Sequence, residues 1–315
     1  MTKALGLALG GGGARGWAHV GVLRALEEAD IEIDYLAGTS IGAMVGAIYV
    51  VGALDQLESF ASEVSLETLI ALIDISFPGL GLIKGEQIQQ FISKYLANRK
   101  IEDAAIPFRC VATNFLSKEA MVFESGLMVD AVRASISIPG VFAPFHHEGA
   151  HLVDGGVVNP VPVSVVEAMG AKAIIAVNLN SDSKQAGTIR SASEGDRENS
   201  GSSDEATQEQ QNDLIQNLAG RYETLKNVLQ TEVDDWIPDP TTGLNIFDVI
   251  GNCMNIMEQQ VTQINFQTDQ PDLLIEPDLM EFGIFDFHQA QPIMQRGYDA
   301  AKALLPQIKA LSAPD

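Results

Sequence analysis

Residues 36–42 read Leu-Ala-Gly-Thr-Ser-Ile-Gly and lie between an apolar run and a long apolar helical pattern. They match the G-x-S-x-G pattern of a nucleophile elbow, in which a strand turns sharply into a helix and presents a serine at the bend. Gly38 and Gly42 have no side chains that would collide where strand and helix pack so closely. The stretch therefore predicts a strand, an elbow with Ser40 at its bend, and a helix.

A glycine-rich turn precedes this elbow in the chain. Residues 4–9 form a short apolar run, which is typical of a strand covered on both faces, and residues 10–16 read Gly-Gly-Gly-Gly-Ala-Arg-Gly before a helical pattern begins at Trp17. Two successive strand–loop–helix units predict a parallel sheet with both loops at its carboxyl edge. Bare backbone N–H groups would then lie beside Ser40, as an oxyanion hole requires.

The same glycine turn has a second interpretation. Residues 11–16 fit G-x-G-x-x-G, the fingerprint of dinucleotide binding. That fingerprint needs an acidic residue about 20 positions on, at the end of the next strand, to hold a ribose. Asp34 lies near that distance but precedes the second strand, and the residue that ends this strand is Ser40. The oxyanion role is therefore favoured over the dinucleotide site.

The rest of the chain continues to alternate strands and helices. The apolar loops at 75–83 and 138–145 are irregular, and residues 151–156 end a hairpin-like strand in Asp-Gly-Gly. In the helix at 246–266, Met254, Met257 and Val261 are expected on one face. The further predicted strands are 34–38, 108–113, 120–123, 173–179 and 273–276, and the further predicted helices are 17–29, 41–51, 54–72, 86–96, 128–135, 161–169, 214–229 and 294–311.

Size and charge limit the classes of function. The chain has 315 residues, 46% hydrophobic and 19% charged, which is typical of a globular enzyme. Residues 1–180 carry 11 basic and 19 acidic side chains, and residues 181–315 carry 8 and 23. This acidity argues against nucleic acid and against electrostatic docking on anionic lipid. Residues 181–213 are rich in Ser, Gln and acidic side chains, which predicts a disordered insertion within a single domain of residues 1–315.

The compartment and the cofactors are predicted from what the sequence contains. Its two cysteines, Cys110 and Cys253, have no metal-binding or C-x-x-C spacing, which favours a reducing compartment. The first residues lack the length and cleavage site of a signal peptide. The apolar uncharged stretch at 41–54 is shorter than the about 20 residues that span a bilayer. We therefore expect a cytoplasmic protein with no metal and no other cofactor.

A serine nucleophile needs a base, and two kinds of base are available. An α/β-hydrolase places its elbow after several strands and follows it with an acid and then a histidine, whereas this elbow is on the second strand. Asp154 follows a strand and precedes Gly155 and Gly156, which let the chain turn and expose the carboxylate. An ordinary Asp-Gly turn would give the same pattern. The candidate histidines are His19, His146, His147, His151 and His288.

Four motifs in order give the chain a family resemblance. Gly-Gly-Gly-Ala-Arg-Gly, Gly-Thr-Ser-Ile-Gly, the stretch Ala-Ser-Ile-Ser-Ile-Pro-Gly-Val-Phe at 134–142, and Asp-Gly-Gly resemble the patatin-like phospholipases, including bacterial members and the esterase domain of neuropathy target esterase. The resemblance covers at least residues 4–180 and is thin beyond the insertion. It implies a three-layer α/β/α fold with a mainly parallel central sheet and a Ser–Asp dyad, whose members fall on Ser40 and Asp154.

The resemblance implies a serine acyl hydrolase for lipid or fatty-acyl esters, in transient contact with a membrane surface. Ser40 would attack the ester carbonyl while Asp154, with a carboxyl pKa raised by apolar surroundings, takes its proton. The loops at 75–83 and 138–145 are walls for an acyl chain, or simply core. The predicted oxyanion donors are the amides of Gly11, Gly12, Gly13 and Ile41, and the supporting motif residues are Gly38, Gly42, Arg15, Gly16, Gly155 and Gly156.

Two alternatives stay open from the sequence. The first is an α/β-hydrolase-type esterase that uses a histidine triad. The second is a non-catalytic regulatory protein that retains the patatin-like fold without turnover. The head group, the acyl-chain length and the oligomeric state depend on tertiary structure.

Overall fold

The computed structural model describes residues 4–74, 80–181 and 246–312. The chain divides into two compact units, one of residues 1–184 with 250–315 and one of residues 185–249. Of the second unit, only residues 246–249 are described, as the first turn of a helix. The predicted disordered insertion at 181–213, apart from Ser181, and the predicted helix at 214–229 lie outside the described residues. The single domain of residues 1–315 stays a prediction.

The strands of the described residues form one mixed sheet. They are β1 (Leu5–Leu9), β2 (Tyr35–Thr39), β3 (Phe108–Asn114), β4 (Ala120–Phe123), β5 (Phe145–His147), β6 (Ala150–Asp154), β7 (Ala173–Val177) and β8 (Leu273–Ile275). Their order in the sheet is β5-β6-β3-β2-β1-β7-β8, with β4 paired to β3. The pairs β1–β2, β1–β7, β2–β3 and β7–β8 are parallel, and the pairs β3–β4, β3–β6 and β5–β6 are antiparallel.

Helices cover both faces of this sheet. The described α-helices are α1 (Trp17–Glu28), α2 (Ile41–Val50), α3 (Leu54–Glu63), α4 (Leu66–Ala71), α5 (Glu86–Leu96), α6 (Met128–Ser135), α7 (Val163–Met169), α8 (Ile246–Asn265) and α9 (Ala290–Ser312). Short 3-10 turns occur at Gly13–Gly16, Ile101–Asp103, Gly155–Val157 and Phe287–Gln289. None of the helices in the described ranges is long and apolar enough to cross a membrane.

Alternating side chains of the central strands divide the core into two layers. Leu7 of β1 and Ile175 of β7 pack with the large cluster that includes residues of α1, α2 and α6. Ala8 of β1 and Ala176 of β7 pack with residues of α7 on the opposite face. Successive side chains of a strand point to opposite faces, so strands buried on both sides read as continuous apolar runs. The predicted three-layer α/β/α fold is confirmed.

Most predicted elements agree with the structure to within one or two residues at each end, and two helices differ by more. The helix predicted over 54–72 is two helices, because Val64 adopts an extended conformation (φ −63°, ψ 125°) after α3. The terminal helix begins at Ala290, four residues before the predicted start. Pro292 lies in its first turn, where a missing N–H removes no helical hydrogen bond.

Candidate active site

Ser40 lies at the bend between β2 and α2, with φ 54° and ψ −123°. A positive φ is uncommon for a residue with a side chain and persists only where the surroundings hold it. Here the Ser40 amide donates to Ser135 Oγ at 2.7 Å, and Ser135 Oγ in turn donates to the carbonyl of Val111. A Cβ atom on Gly42 would overlap the carbonyl of Leu9, so the elbow needs glycine for its close approach to β1.

Asp154 is the hydrogen-bond partner of the serine hydroxyl. Ser40 Oγ donates to Asp154 Oδ2 at 2.6 Å, and Asp154 Oδ1 accepts from the Gly156 amide at 2.8 Å. The antiparallel register that pairs Ala112 with Asp154 brings the end of β6 beside the elbow. Asp154 is only 1% exposed, and burial raises the pKa of its carboxyl to about 6 against the opposing effect of its two hydrogen bonds.

The glycine turn after β1 contains three of the four predicted oxyanion donors, and the amide of one of them already has a hydrogen-bond acceptor. The Gly11 amide donates to the carbonyl of Pro160 at 2.9 Å. Because this N–H already has an acceptor, the geometry does not support Gly11 as an oxyanion donor, and its predicted role stays a prediction. The amides of Gly12, Gly13 and Ile41 have no acceptor in the part of the chain that the structure describes. Gly12 and Gly13 also line the cavity beside Ser40.

Arg15 ties this turn to three distant parts of the chain. Its Nε donates to the carbonyl of Phe282 at 2.9 Å, and its Nη1 donates to Asn180 Oδ1 at 3.3 Å and to Asn255 Oδ1 at 3.2 Å. These contacts support the loop, in line with the place of Arg15 among the predicted supporting motif residues. Gly16 packs against Ile41, whose side chain would overlap a Cβ atom at this position.

A small cavity joins these residues. Its free volume is about 10 Å³, which holds about one water molecule. Helix α8 covers it with Met254, Asn255 and Glu258, and Ile138 and Ile284 are its other apolar lining residues. A larger hollow at Tyr49, Arg99 and Lys100 contains none of the motif residues. The complete lining of the small cavity is Gly12, Gly13, Ser40, Ile138, Asp154, Met254, Asn255, Glu258 and Ile284.

Glu258 is the site residue that the sequence interpretation missed. It is 6% exposed, and its Oε2 accepts from Asn180 Nδ2 at 2.6 Å. Burial and then the charge of Asp154 raise the pKa of Glu258 to about 8, against the lowering effects of Asn180 and Arg15. Helical spacing was the signal that could have found it, because Glu258 is four residues after Met254. The buried face of α8 contains Gly251, Met254, Glu258 and Thr262.

The prediction that Met254, Met257 and Val261 lie on one apolar face of α8 is wrong in part. Met254 is buried, but Met257 is 50% exposed and points away from the cavity. At 100° per residue, Met257 lies about 105° from the centre of the buried face formed by Gly251, Met254, Glu258 and Thr262, and therefore outside that face. Apolar character alone therefore did not identify the buried side of this helix.

The two apolar loops pack mainly against each other. The amide of Ile83 donates to the carbonyl of Val141 at 2.8 Å, and the amide of Ala143 returns a bond to the carbonyl of Ile83 at 2.9 Å. Residues 75–79 of the first loop lie outside the described residues. Only Ile138 of the described loop residues lines the cavity. Their role as walls for an acyl chain stays a prediction.

The histidines lie elsewhere in the described structure. His19 is buried, its Nε2 is 2.8 Å from the carbonyl oxygen of Gly10, and burial lowers its pKa to about 4. Residues 146, 147 and 151 belong to the β5–β6 hairpin, and His288 lies in the turn before α9. No histidine lines the cavity beside Ser40. Within the described ranges, no three His, Cys, Asp or Glu side chains are arranged to hold a metal.

Comparison with known proteins gives a consistent result. A family model described as patatin-like phospholipase matches residues 7–166. An uncharacterized NTE family protein of Mycobacterium tuberculosis strain H37Rv is 38% identical over 191 residues, which cover 61% of this chain and 52% of that protein. Lysophospholipase NTE1 of Coccidioides immitis is 40% identical over 182 residues, covering 56% of this chain and 12% of that protein. The chain thus spans about half or less of the length of these relatives.

The fold also matches a solved structure. VipD from Legionella pneumophila superimposes with a TM-score of 0.53 at 16% sequence identity, over 97% of this chain and 67% of that one. At this identity the likeness concerns the fold alone.

Proposed function

The chain belongs to the patatin-like phospholipase family, and from this premise we propose that it hydrolyses carboxyl esters of lipids with Ser40 as nucleophile and Asp154 as base. The observation that carries the proposal is the 2.6 Å hydrogen bond from Ser40 Oγ to Asp154 Oδ2 beside the amides of Gly12 and Gly13. Relatives named lysophospholipase support the lipid ester as the substrate class.

Ser40 Oγ attacks the ester carbonyl while its proton passes to Asp154 Oδ2. A serine hydroxyl is a weak nucleophile until a base within hydrogen-bond reach takes its proton. Burial favours this transfer, because the raised pKa of Asp154 makes its carboxylate a stronger base. The negative oxygen of the tetrahedral intermediate receives hydrogen bonds from the amides of Gly12, Gly13 and Ile41.

Collapse of the intermediate breaks the bond to the alcohol and leaves the acyl group on Ser40. The departing oxygen must be protonated if it belongs to an ordinary alkyl alcohol. In a Ser–Asp dyad alone, the proton that Asp154 took from Ser40 passes to this oxygen, which restores the Asp154 carboxylate. Water then attacks the acyl carbonyl while Asp154 takes a proton from it, and Ser40 is restored as the fatty acid leaves.

Substrate binding requires α8 to move. A cavity of about 10 Å³ has no room for an ester group with an acyl chain, so Met254 and Asn255 must withdraw from Ser40. The outer side of α8 carries the exposed apolar side chains Ile256, Met257 and Ile264. We include transient contact of α8 with a lipid surface in the proposal; with a net charge of −23, a zwitterionic surface is the expected one.

Hydrolysis assays test this function directly. We expect the protein to cleave p-nitrophenyl esters of rising acyl-chain length and then lysophospholipid, and a fluorophosphonate to label Ser40. Ser40→Ala should abolish labelling and hydrolysis with no change in melting temperature. Absence of both in the wild type would favour the non-catalytic regulatory protein and overturn the proposal.

The histidine-triad alternative is tested by separate substitutions of the five histidines. A triad enzyme loses hydrolysis when its histidine is replaced, whereas a Ser40–Asp154 enzyme keeps its fluorophosphonate labelling in each variant. Loss of labelling in any folded histidine variant would contradict the dyad. The cytoplasmic location and the absence of nucleic-acid binding stay predictions from the sequence.

A further inference from the structure

Glu258 lies beside both members of the proposed dyad. A Cβ atom on Gly11 would lie 3.5 Å from Glu258 Oε1 and 3.6 Å from Ser40 Cβ, so the carboxyl group and the serine flank the same glycine. A Cβ atom on Gly156 would overlap Glu258 Oε1 and lie 3.1 Å from Asp154 Oδ1. Two glycines therefore make room for a second carboxyl group at the reacting atoms.

The hydrogen bonds of Asn180 orient this carboxyl group. Arg15 donates to Asn180 Oδ1, so the side-chain amide of Asn180 is turned with Nδ2 towards Glu258. Nδ2 is a donor, and Glu258 Oε2 is therefore an acceptor. A proton held by Glu258 must sit on Oε1, which is the oxygen that faces Gly156 and Asp154.

The two carboxyl groups hold one proton between them near neutral pH. Like charges buried side by side disfavour double ionisation, and the two protons of such a pair come off in separate steps. The charged groups that face Glu258 are Asp154, which raises its pKa, and Arg15, which lowers it. Asp154 accepts hydrogen bonds from Ser40 Oγ and the Gly156 amide, two donors that stabilise its carboxylate, whereas Glu258 accepts from Asn180. The proton therefore resides on Glu258 and the charge on Asp154.

We propose that Glu258 is a further catalytic residue, the general acid that protonates the leaving alcohol when the tetrahedral intermediate collapses. The proposal rests on the proposed function, because it assigns a step of that reaction. It separates two roles that a Ser–Asp dyad alone must combine in one carboxyl group. Asp154 takes protons, and Glu258 gives one.

The protons balance over the cycle. In the first half, Asp154 gains the proton of Ser40, the bond between the acyl carbon and the alcohol oxygen breaks, and that oxygen takes the Oε1 proton of Glu258. The proton on Asp154 then passes to the Glu258 carboxylate, its more basic neighbour. In the second half, Asp154 takes a proton from water and returns it to Ser40 as the acid leaves.

A pair of esters with the same acyl chain tests this assignment. The leaving group of lysophospholipid is an alkyl alcohol, whose oxygen must be protonated as it departs. The leaving group of the p-nitrophenyl ester is p-nitrophenolate, a stable anion that departs without a proton. For Glu258→Gln we expect kcat on lysophospholipid to fall about 100-fold or more, because general acids contribute that much. On the p-nitrophenyl ester the loss of kcat should be at least about 10-fold smaller, since p-nitrophenolate leaves without a proton and the proton on Asp154 can pass to water.

Glu276→Gln is the matched control. Glu276 also accepts from an asparagine, Asn178 Nδ2 at 2.9 Å, but its side chain is exposed and outside the cavity. This variant should hydrolyse both esters like the wild type. In Glu258→Gln the amide oxygen can still accept from Asn180, and unchanged melting temperature and fluorophosphonate labelling of Ser40 would show an intact site.

The wild-type pH profile gives a second test that needs no variant. Hydrolysis of lysophospholipid should decline above about pH 8 as Glu258 loses its proton, whereas hydrolysis of the p-nitrophenyl ester should not. Equal profiles for the two esters, or equal losses of kcat in Glu258→Gln, would overturn the acid role. Wild-type inactivity towards both esters would instead overturn the proposed function.

Discussion

The hydroxyl of Ser135, at the end of α6, accepts a hydrogen bond from the backbone amide of Ser40 at 2.7 Å. The same hydroxyl donates to the carbonyl of Val111 in β3. One side chain thus links the elbow to the neighbouring strand and satisfies the buried amide of a residue held at φ 54°. The geometry of the nucleophile therefore depends on a residue 95 positions away.

Removing this hydroxyl should loosen the elbow. In Ser135→Ala the buried amide of Ser40 loses its acceptor, which costs about 1–3 kcal/mol of unfolding free energy. We expect a lower urea midpoint and a lower kcat on the p-nitrophenyl ester. Ser62→Ala is the control, because its hydroxyl donates to the carbonyl of Glu58 on an exposed surface. Equal stability of the two variants would contradict the role of Ser135.

Ester hydrolysis should fall in acid. The reactive form of Asp154 is its carboxylate, and burial raises its pKa to about 6. As pH falls through this value the carboxyl takes a proton, and kcat/KM on the p-nitrophenyl ester should decrease about tenfold for each further pH unit. Asp154→Asn should abolish hydrolysis, while Asp299→Asn, on the exposed side of α9, should leave it unchanged. An acid limb near pH 4 would contradict the buried base.

Gly13 should not tolerate a side chain. It has φ 57°, and a Cβ atom would overlap the carbonyl of Ile284. We expect Gly13→Ala to displace the amides beside Ser40 and to lower kcat at least about 10-fold, as misplaced oxyanion donors do. Gly149 also has a positive φ of 84°, but nothing lies within 4 Å of its Cβ position. Gly149→Ala introduces similar backbone strain without a clash and should retain hydrolysis. An equal loss of kcat in Gly13→Ala and Gly149→Ala would show that backbone strain alone causes the loss.

Arg133 should stabilise the two apolar loops. It is 3% exposed, and it donates to the carbonyls of Lys84, Gly85 and Ala143 and to Ser137 Oγ. Arg133→Met leaves these buried acceptors without their donor, so we expect a loss of about 3 kcal/mol or more in unfolding free energy. Arg109→Met is the control, because Arg109 donates to the carbonyls of Phe108 and Glu124 from a partly exposed position. A comparable loss of unfolding free energy in both variants would contradict the stabilising role of Arg133.

The local elements were predictable because their signals are local. The predicted bounds of α5, α6 and β4 agree with the structure at both ends. Apolar periodicity marked each element, and the glycines marked turns where a side chain would collide. The family resemblance, based on four motifs, is confirmed by the family model over residues 7–166. The same motifs predicted Ser40 and Asp154 as site residues, and in the structure Ser40 Oγ lies 2.6 Å from Asp154 Oδ2.

The sequence by itself thus determined most of the strands and helices, the elbow and the family. Only the tertiary structure decided that the Gly11 amide is bonded to Pro160, that Met257 faces outwards, and that Glu258 joins the cavity of Ser40. The reason is physical. A hydrogen-bond partner and a raised pKa depend on which distant segment excludes water from a group, and helical or strand periodicity carries no record of that segment.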